Sequence, residues 1–141
     1  MLGLAHESRL WIFDVDGCLV DSMSGTSLRP LALQVLGGLH ERSTEIVLWS
    51  AGGAAYAQRK AQGVGIDVLV SAFEAKSERD EDGYWGTAHV APLGRAVTFV
   101  DDQPHEIHPA RHVLGVRPYI GENPHDRGFV PVLEAVRALR D

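Results

Sequence analysis

An apolar run that ends in two carboxylates is the feature that most constrains the fold. Residues 10 to 17 read Leu-Trp-Ile-Phe-Asp-Val-Asp-Gly, and short runs rich in aromatic and β-branched side chains are typical of a buried strand. In parallel α/β sheets, ligands bind beyond the carboxyl ends of the strands. We therefore expect Asp14 and Asp16 at a sheet edge where a site could lie, although acidic residues also start turns and cap helices.

The length and composition fit one globular domain, which we expect to span residues 1–141. The chain has 141 residues, of which 45% are hydrophobic and 23% charged. A formal net charge of −6 disfavours unspecific binding to nucleic acid or to anionic membranes. Cys18 has no partner for a disulfide, and no apolar stretch reaches the ~18 residues of a membrane span or resembles a signal peptide. We therefore expect a cytoplasmic protein.

The rest of the chain alternates short apolar runs with helical patterns, an order that is typical of βαβ units. We predict further strands at 45–50, 66–70, 96–100 and about 113–120, and helices at 28–39, about 54–61 and roughly 129–139. No helix is predicted between Lys76 and the fourth strand. The pattern predicts an α/β fold, a three-layer Rossmann-like domain with a mainly parallel five-stranded sheet and no separate cap domain.

Polar residues follow three of the predicted strands. Asp14 and Asp16 follow the first, Ser50 ends the second, and Asp101 and Asp102 follow the fourth. Two acidic clusters that face one crevice repel each other unless a cation lies between them, and Mg²⁺ is the usual occupant of a site made of oxygens. Because side chains alternate along a strand, we do not expect Asp101 and Asp102 both to reach the ion directly.

Ser50 and one of the two lysines could bind an anion beside this metal. Ser50 is followed by Ala51 and two glycines before a predicted helix. A serine in this place is commonly a simple N-cap, but a helix N-terminus is also an anion site, and both roles can coexist. Lys60 would lie on a solvated helix face. Lys76 follows the third strand and could return to the crevice, with an exposed lysine as the alternative.

Taken in order, these residues resemble the motifs of the haloacid dehalogenase superfamily of phosphohydrolases. Residues 14–22 (DVDGCLVDS) are similar to its first motif, with Cys18 where threonine or valine is usual. Residues 47–50 (VLWS) resemble the second motif, Lys76 is the candidate for the third, and residues 97–102 (VTFVDD) resemble the fourth. The resemblance covers most of the chain and implies a Mg²⁺-dependent phosphatase.

The resemblance also implies the chemical roles at the first motif. Asp14 would attack the phosphorus of a phosphomonoester and form a phospho-aspartate. Asp16 would protonate the leaving oxygen and then deprotonate the water that cleaves the intermediate. Members that release halide lack this acid, so Asp16 favours a phosphate ester as substrate.

For the metal and the phosphate, the resemblance implies two groups of residues. Asp14, the main-chain carbonyl of Asp16 and Asp102 would hold Mg²⁺, and Asp101 would orient a water on the metal. Ser50, Lys76 and backbone N–H groups such as that of Ala51 would hold the phosphate oxygens.

The spacing between the motifs bears on the size of the substrate. Cap domains of this family are inserted after the first motif or between the second and third, and neither gap has room for one. An open site would suit a bulky substrate, such as a nucleotide, a nucleic-acid end, a phosphoprotein or a large metabolite, or a partner subunit would close it. Tyr84 and Trp85 could stack on a base near the rim, with core packing or a hairpin contact as the alternative.

Two classes of protein compete with a phosphatase. A receiver-like signalling domain also combines a metal, a phospho-accepting aspartate, a hydroxyl and a lysine, but in a different order along the strands. A binding or regulatory module could keep the fold without turnover, which the pair Asp14 and Asp16 disfavours.

Four further side chains attract functional interpretations. His105, His108 and His112 could share a helix face and bind a transition metal, but Pro104 and Pro109 favour a loop or short helix. Cys18 could be oxidisable, or it could be a small filler.

Overall fold

The computed structural model describes residues 8–139, which form five strands and three helices. In chain order these are β1 (Leu10–Asp14), α1 (Ala32–Glu41), β2 (Glu45–Ser50), α2 (Ala54–Gly63), β3 (Ala72–Ala75), β4 (Thr98–Asp101), β5 (His112–Gly115) and α3 (Val130–Arg137). Short 3-10 turns lie at Asp67–Leu69 and Pro104–Glu106. Within the described residues, no helix is long and apolar enough to cross a membrane.

The five strands form one parallel sheet in the order β3-β2-β1-β4-β5. The predicted α/β fold with a parallel five-stranded sheet is therefore confirmed. From β1 the chain builds β2 and β3 on one side and then crosses to β4 and β5 on the other. The strand order thus reverses between β1 and β4, and in open α/β sheets ligands bind at such a point, outside the carboxyl ends of the strands.

The core lies on both faces of the sheet, and every residue of the central strand β1 is therefore buried. Trp11 and Phe13 point to one face, where they pack with buried residues of all three helices. Ile12 points to the other face, which Val90 and Ala91 cover. These two residues belong to the segment between β3 and β4, which contains no helix, as the sequence predicted.

The predicted third strand at residues 66–70 is wrong. That apolar run forms the 3-10 turn, and the strand follows at Ala72–Ala75. Ile66 is buried in the same core cluster as the helices, and Leu69 and Val70 pack against it. The pairing with β2 begins only after the run, where the Ser71 N–H donates to the Ile46 carbonyl oxygen at 2.7 Å. A short apolar run can fill a core without being a strand.

The first helix begins at Ala32 and not at Leu28. Leu28 forms an isolated antiparallel bridge with Val20, and the Arg29 N–H donates to the Leu19 carbonyl oxygen at 2.8 Å. These bonds hold the segment against the loop after β1. The chain then turns at Leu31, whose φ of 72° is left-handed, before it can enter the helix.

The remaining differences are in element ends. β4 begins at Thr98, β5 covers only His112–Gly115, and α3 covers Val130–Arg137. Residues 116–120, predicted as part of the fifth strand, leave the sheet after the Val116 N–H donates to the Asp101 carbonyl oxygen at 3.1 Å, because β4 ends at Asp101. They bond instead to the loop after β1, where the Tyr119 N–H donates to the Gly17 carbonyl oxygen at 2.7 Å.

Candidate active site

The carboxyl ends of the central strands bring four polar side chains to one edge of the sheet. Asp14 is the last residue of β1, Ser50 of β2 and Asp101 of β4, and Lys76 directly follows β3. The Lys76 N–H donates to the Ser50 carbonyl oxygen at 2.9 Å, which continues the pairing of β3 with β2. The parallel topology alone therefore gathers residues that are far apart in the sequence.

Lys76 lies between two carboxylates. Its Nζ is 3.0 Å from Oδ1 of Asp14 and 3.0 Å from Oδ2 of Asp101, and only 7% of the residue is exposed. Burial alone would lower the pKa of Lys76, but the charges of Asp14 and Asp101 outweigh that effect and raise it. The lysine is therefore charged, and the alternative of an exposed lysine is wrong.

Three carboxylates surround a single point. Asp14, Asp101 and Asp102 each offer an oxygen atom, and these atoms lie within 4.8 Å of one another. Asp101 uses both of its oxygens, since Oδ2 binds Lys76 and Oδ1 accepts the Gln103 N–H at 2.8 Å. Oδ1 of Asp102 is buried and has no hydrogen-bond partner within residues 8–139. A buried carboxylate oxygen is costly without a proton or cation.

Gly17 allows Asp102 to come this close to the loop after β1. The residue has a left-handed φ of 77°, and a Cβ there would lie 2.6 Å from Oδ2 of Asp102. Any side chain at this position would push the carboxylate away.

The carboxylates are unevenly balanced by positive charge. Burial raises the pKa of Asp14 to about 7, against the opposing charge of Lys76 and with a further rise from the Asp102 carboxylate. Burial and Asp14 also raise the pKa of Asp101, although Lys76 opposes this rise. One lysine does not neutralise three carboxylates, so the cluster favours a further cation.

Ser50 is not the N-cap of the following helix. The cap residue of α2 is Gly53, which provides no side-chain cap. The Ser50 hydroxyl instead accepts the Gly52 N–H at 3.0 Å within the turn, and Ala51 is exposed in that turn. Two extra residues between strand and helix separate the serine from the cap position.

Asp16 makes a contact that the sequence analysis missed. The Tyr56 hydroxyl lies 2.8 Å from both carboxylate oxygens of Asp16 and donates its proton to them. Burial and Asp16 raise the pKa of Tyr56 to about 12, so the hydroxyl stays a donor. The available signal was the position of Tyr56 in the first turn of the helix after Ser50, which had to start at the same sheet edge.

The two aromatic residues near the rim form a hairpin contact. Trp85 pairs with Arg79 in an isolated antiparallel bridge, and the Arg79 guanidinium lies 4.1 Å from the Trp85 ring centroid. Tyr84 meets His108 edge-on at 5.2 Å. Their side chains are thus engaged with the protein itself.

Cys18 and the three histidines form no second site. Cys18 is fully buried, and burial raises the pKa of its thiol, which matches the interpretation as a filler. His105 lies in a 3-10 turn and His112 opens β5. Of the residues that the structure describes, only Asp14, Asp101 and Asp102 form a group able to hold a metal ion.

The sequence matches no protein-family model and no curated protein. Among solved structures, it is similar to a hypothetical protein of Xanthomonas campestris, with 19% identity, a TM-score of 0.55 and coverage of 95% of this chain and 84% of that one. It is also similar to a Vibrio cholerae protein described as a candidate 3-deoxy-D-manno-octulosonate 8-phosphate phosphatase, with 15% identity, a TM-score of 0.56 and coverage of 95% and 86%. At these identities the similarity shows the fold alone, an α/β domain built on a parallel five-stranded sheet.

Proposed function

We propose that this protein is a metal-dependent phosphomonoester hydrolase in which Asp14 carries the phosphoryl group between two half-reactions. The observation that supports this proposal most strongly is the meeting of two buried carboxylates, the half-buried Asp102 and Lys76 at the carboxyl edge of the sheet. Electrostatic repulsion makes such a cluster costly unless it binds a cation, and a bound cation can in turn attract an anionic phosphate. The similarity in fold to a candidate phosphatase points in the same direction.

The residues present fit Mg²⁺. Carboxylate and carbonyl oxygens are the ligands that this ion prefers, and Oδ1 of Asp102 is a buried oxygen without a partner in the described chain. Asp14, Asp102 and the main-chain carbonyl of Asp16 would hold the ion. Asp101, whose two oxygens already accept hydrogen bonds, would act beside them. When bound, the ion would offset the negative charge of the phosphoryl group and of the nucleophile.

The protein residues would then carry out two displacements. In the first, an Asp14 oxygen forms a bond to phosphorus while the ester P–O bond breaks, and Asp16 gives its proton to the leaving oxygen. In the second, Asp16 takes a proton from water as that water attacks phosphorus, which frees Asp14 and releases inorganic phosphate. Tyr56 would hold the Asp16 carboxylate in place through both steps.

Lys76 has the capacity to bind the phosphoryl group as well. An ammonium has three N–H donors, and the ion pairs with Asp14 and Asp101 use two of them. The third would point to a phosphate oxygen, together with the Ser50 hydroxyl and the Ala51 N–H. Lys76 would also fix the orientation of the Asp14 nucleophile.

The test is a phosphate-release assay on the purified chain with 4-nitrophenyl phosphate and Mg²⁺. We expect multiple turnovers that EDTA abolishes, and no turnover by Asp14→Asn. Asp82→Asn is the matched control, because Asp82 is exposed in the loop before Trp85. A wild-type chain that releases no phosphate from a panel of nucleotides, sugar phosphates, phosphopeptides and phosphorylated oligonucleotides would overturn the proposal.

The same assay separates the competing functions. A receiver-like domain would accumulate a stable phospho-aspartate without multiple turnover. A binding module would bind phosphate esters without cleaving them. Acid quenching followed by mass spectrometry of the peptide that contains Asp14 distinguishes these outcomes from a transient intermediate.

A further inference from the structure

A cavity lined by Tyr56, the hydrogen-bond partner of Asp16, bears on the part of the substrate that leaves. It has a volume of about 260 Å³ and lies between the loop that follows β1 and the helix α2. Its lining consists of Gly25, Thr26, Tyr56, Arg59, Lys60 and Gly63.

Tyr56 connects this cavity to the proposed general acid. Tyr56 lines the cavity, and its hydroxyl lies 2.8 Å from each carboxylate oxygen of Asp16. A group that protonates a leaving oxygen must lie within hydrogen-bond reach of that oxygen. The rest of the leaving group must therefore lie near Asp16, and the cavity reaches this region through Tyr56, which lines it and hydrogen-bonds to Asp16.

Two positive charges line the cavity, and no carboxylate does. Arg59 and Lys60 form no ion pair with the residues that the structure describes. Lys60, expected on a solvated face, is half-buried. Cations that stay unpaired in an acidic chain are available to an anionic ligand.

The position of Lys60 is fixed by its neighbours. Its Nζ lies 5.4 Å from the Tyr56 ring centroid, a distance that favours a cation–π contact. On its other side it touches Gly25, where a Cβ would lie 2.6 Å from Nζ. The ammonium is thus held between the two walls of the cavity.

The loop wall is itself held in one conformation. The buried Asp21 carboxylate accepts the N–H groups of Ser24, Thr26 and Ser27 at 2.7, 3.2 and 2.9 Å. A wall that is ordered before binding lowers the entropic cost of ligand binding.

We propose that this cavity binds the leaving group of the phosphomonoester, and that Arg59 and Lys60 select a leaving group that bears a second anion. This inference rests on the proposed function and names its substrate class. A guanidinium binds carboxylate or phosphate through two parallel hydrogen bonds, and an ammonium adds a point charge. Both anions share this chemistry, so the substrates are phosphomonoesters that also carry a carboxylate or a second phosphate.

Matched ester pairs test the selection. 2-Phosphoglycerate and glycerol 2-phosphate differ by one carboxylate, and propane-1,3-diol bisphosphate and its monophosphate differ by one phosphate. In at least one pair, we expect the wild-type kcat/KM to be about 10- to 100-fold higher for the ester that carries the second anion. This ratio corresponds to one or two charge-assisted hydrogen bonds. The pair with the larger ratio identifies the anion.

Variants assign the selection to the cavity. In Arg59→Gln/Lys60→Met we expect that ratio to fall to about one- to threefold. Arg95→Gln is the control, because Arg95 pairs with Glu45 at the opposite, amino-terminal end of the sheet, and it should keep the ratio. Equal loss in the control would reveal a general charge effect and overturn the assignment to this cavity.

A binding measurement separates this inference from the proposed function. The Asp14→Asn variant, which should not hydrolyse the esters, is titrated with both esters of each pair by calorimetry. We expect tighter binding of the ester that carries the second anion. Equal binding of both members, or wild-type turnover without preference, overturns the leaving-group site while the hydrolase proposal stands. A third outcome is preferential binding that depends on Arg59 and Lys60, together with a wild-type chain that hydrolyses no ester. This outcome supports an anion site and overturns the hydrolase proposal.

Discussion

The Nζ of Lys76 lies 3.0 Å from Oδ1 of Asp14, although 62 residues separate the two in the sequence. A second carboxylate, that of Asp101, lies at the same distance from Nζ. Both acids end strands next to each other in the sheet, and Lys76 follows the outer strand on the far side of β2. The lysine therefore reaches across the carboxyl ends of the sheet, and the stability of the fold depends on the charges of the site.

Removal of this lysine should destabilise the chain in the absence of metal. We expect Lys76→Met to lose roughly 3–5 kcal/mol of unfolding free energy in EDTA, because a buried carboxylate pair loses its partner. Without Lys76 the pKa of Asp14 rises above its wild-type value of about 7, so folded Lys76→Met keeps a proton on Asp14 to higher pH. The loss of unfolding free energy relative to the wild type therefore grows as the pH rises from 5 to 8. Urea denaturation at both pH values measures this.

Lys60→Met is the matched control for that experiment. Lys60 is the other lysine and makes no ion pair with the described residues, so its loss should cost less than ~1 kcal/mol. Equal destabilisation by the two substitutions would mean that the ion pairs of Lys76 contribute nothing specific.

Asp102 should determine metal affinity more than its neighbour Asp101. We expect Mg²⁺ at about 100 times its Kd to add ~2.7 kcal/mol to the stability of the wild type, seen as a rise of several degrees in Tm. Asp102→Asn should remove most of that rise, because the free Oδ1 of Asp102 is the oxygen available to the ion. Retention of the full rise in Asp102→Asn would exclude it as a ligand.

Tyr56 should matter most for esters with poor leaving groups. Tyr56→Phe removes the hydrogen bonds that hold Asp16, and a bond to a charged group contributes about 1.5 kcal/mol or more. We expect kcat for an alkyl phosphate to fall about tenfold, with a smaller fall for 4-nitrophenyl phosphate, which needs little protonation. A uniform loss for both esters would indicate a structural role for Tyr56.

The sequence allowed the strands that carry chemistry to be predicted better than the rest. The runs that end at Asp14, Ser50 and Asp101 are apolar, bounded by turn residues and buried on both faces, so their pattern has one interpretation. β3 failed because it is an edge strand of four half-buried residues, Ala-Phe-Glu-Ala. The more hydrophobic run before it packs under the helices instead.

The site residues were predictable where a strand end defines their position. Asp14, Asp101 and Asp102 meet as expected from the parallel topology. Lys76 was only one of two alternatives, because the strand before it was predicted at the wrong residues. The sequence places Tyr56 in the first turn of α2, near the same sheet edge as Asp16, but the hydrogen bond itself also depends on the length of the turn after Ser50 and on the direction in which α2 leaves the sheet. The same turn moves Ser50 away from the cap position.

Asp21 provides a test of the loop that forms one wall of the cavity. The hydrogen bonds from Ser24, Thr26 and Ser27 lower the pKa of Asp21 to about 2, although burial opposes them, whereas an unfolded aspartate has a pKa of about 3.9. The ionised form is thus favoured by folding, so this contribution to stability is complete above about pH 5 and is lost as the pH falls through 4 toward 2. Asp21→Asn should therefore be less stable than the wild type at pH 6, by about 1.5–3 kcal/mol, and the gap should narrow at pH 3. Urea unfolding of both chains at the two pH values measures the gap, and a gap that stays constant would show that the charge of Asp21 does not order the loop.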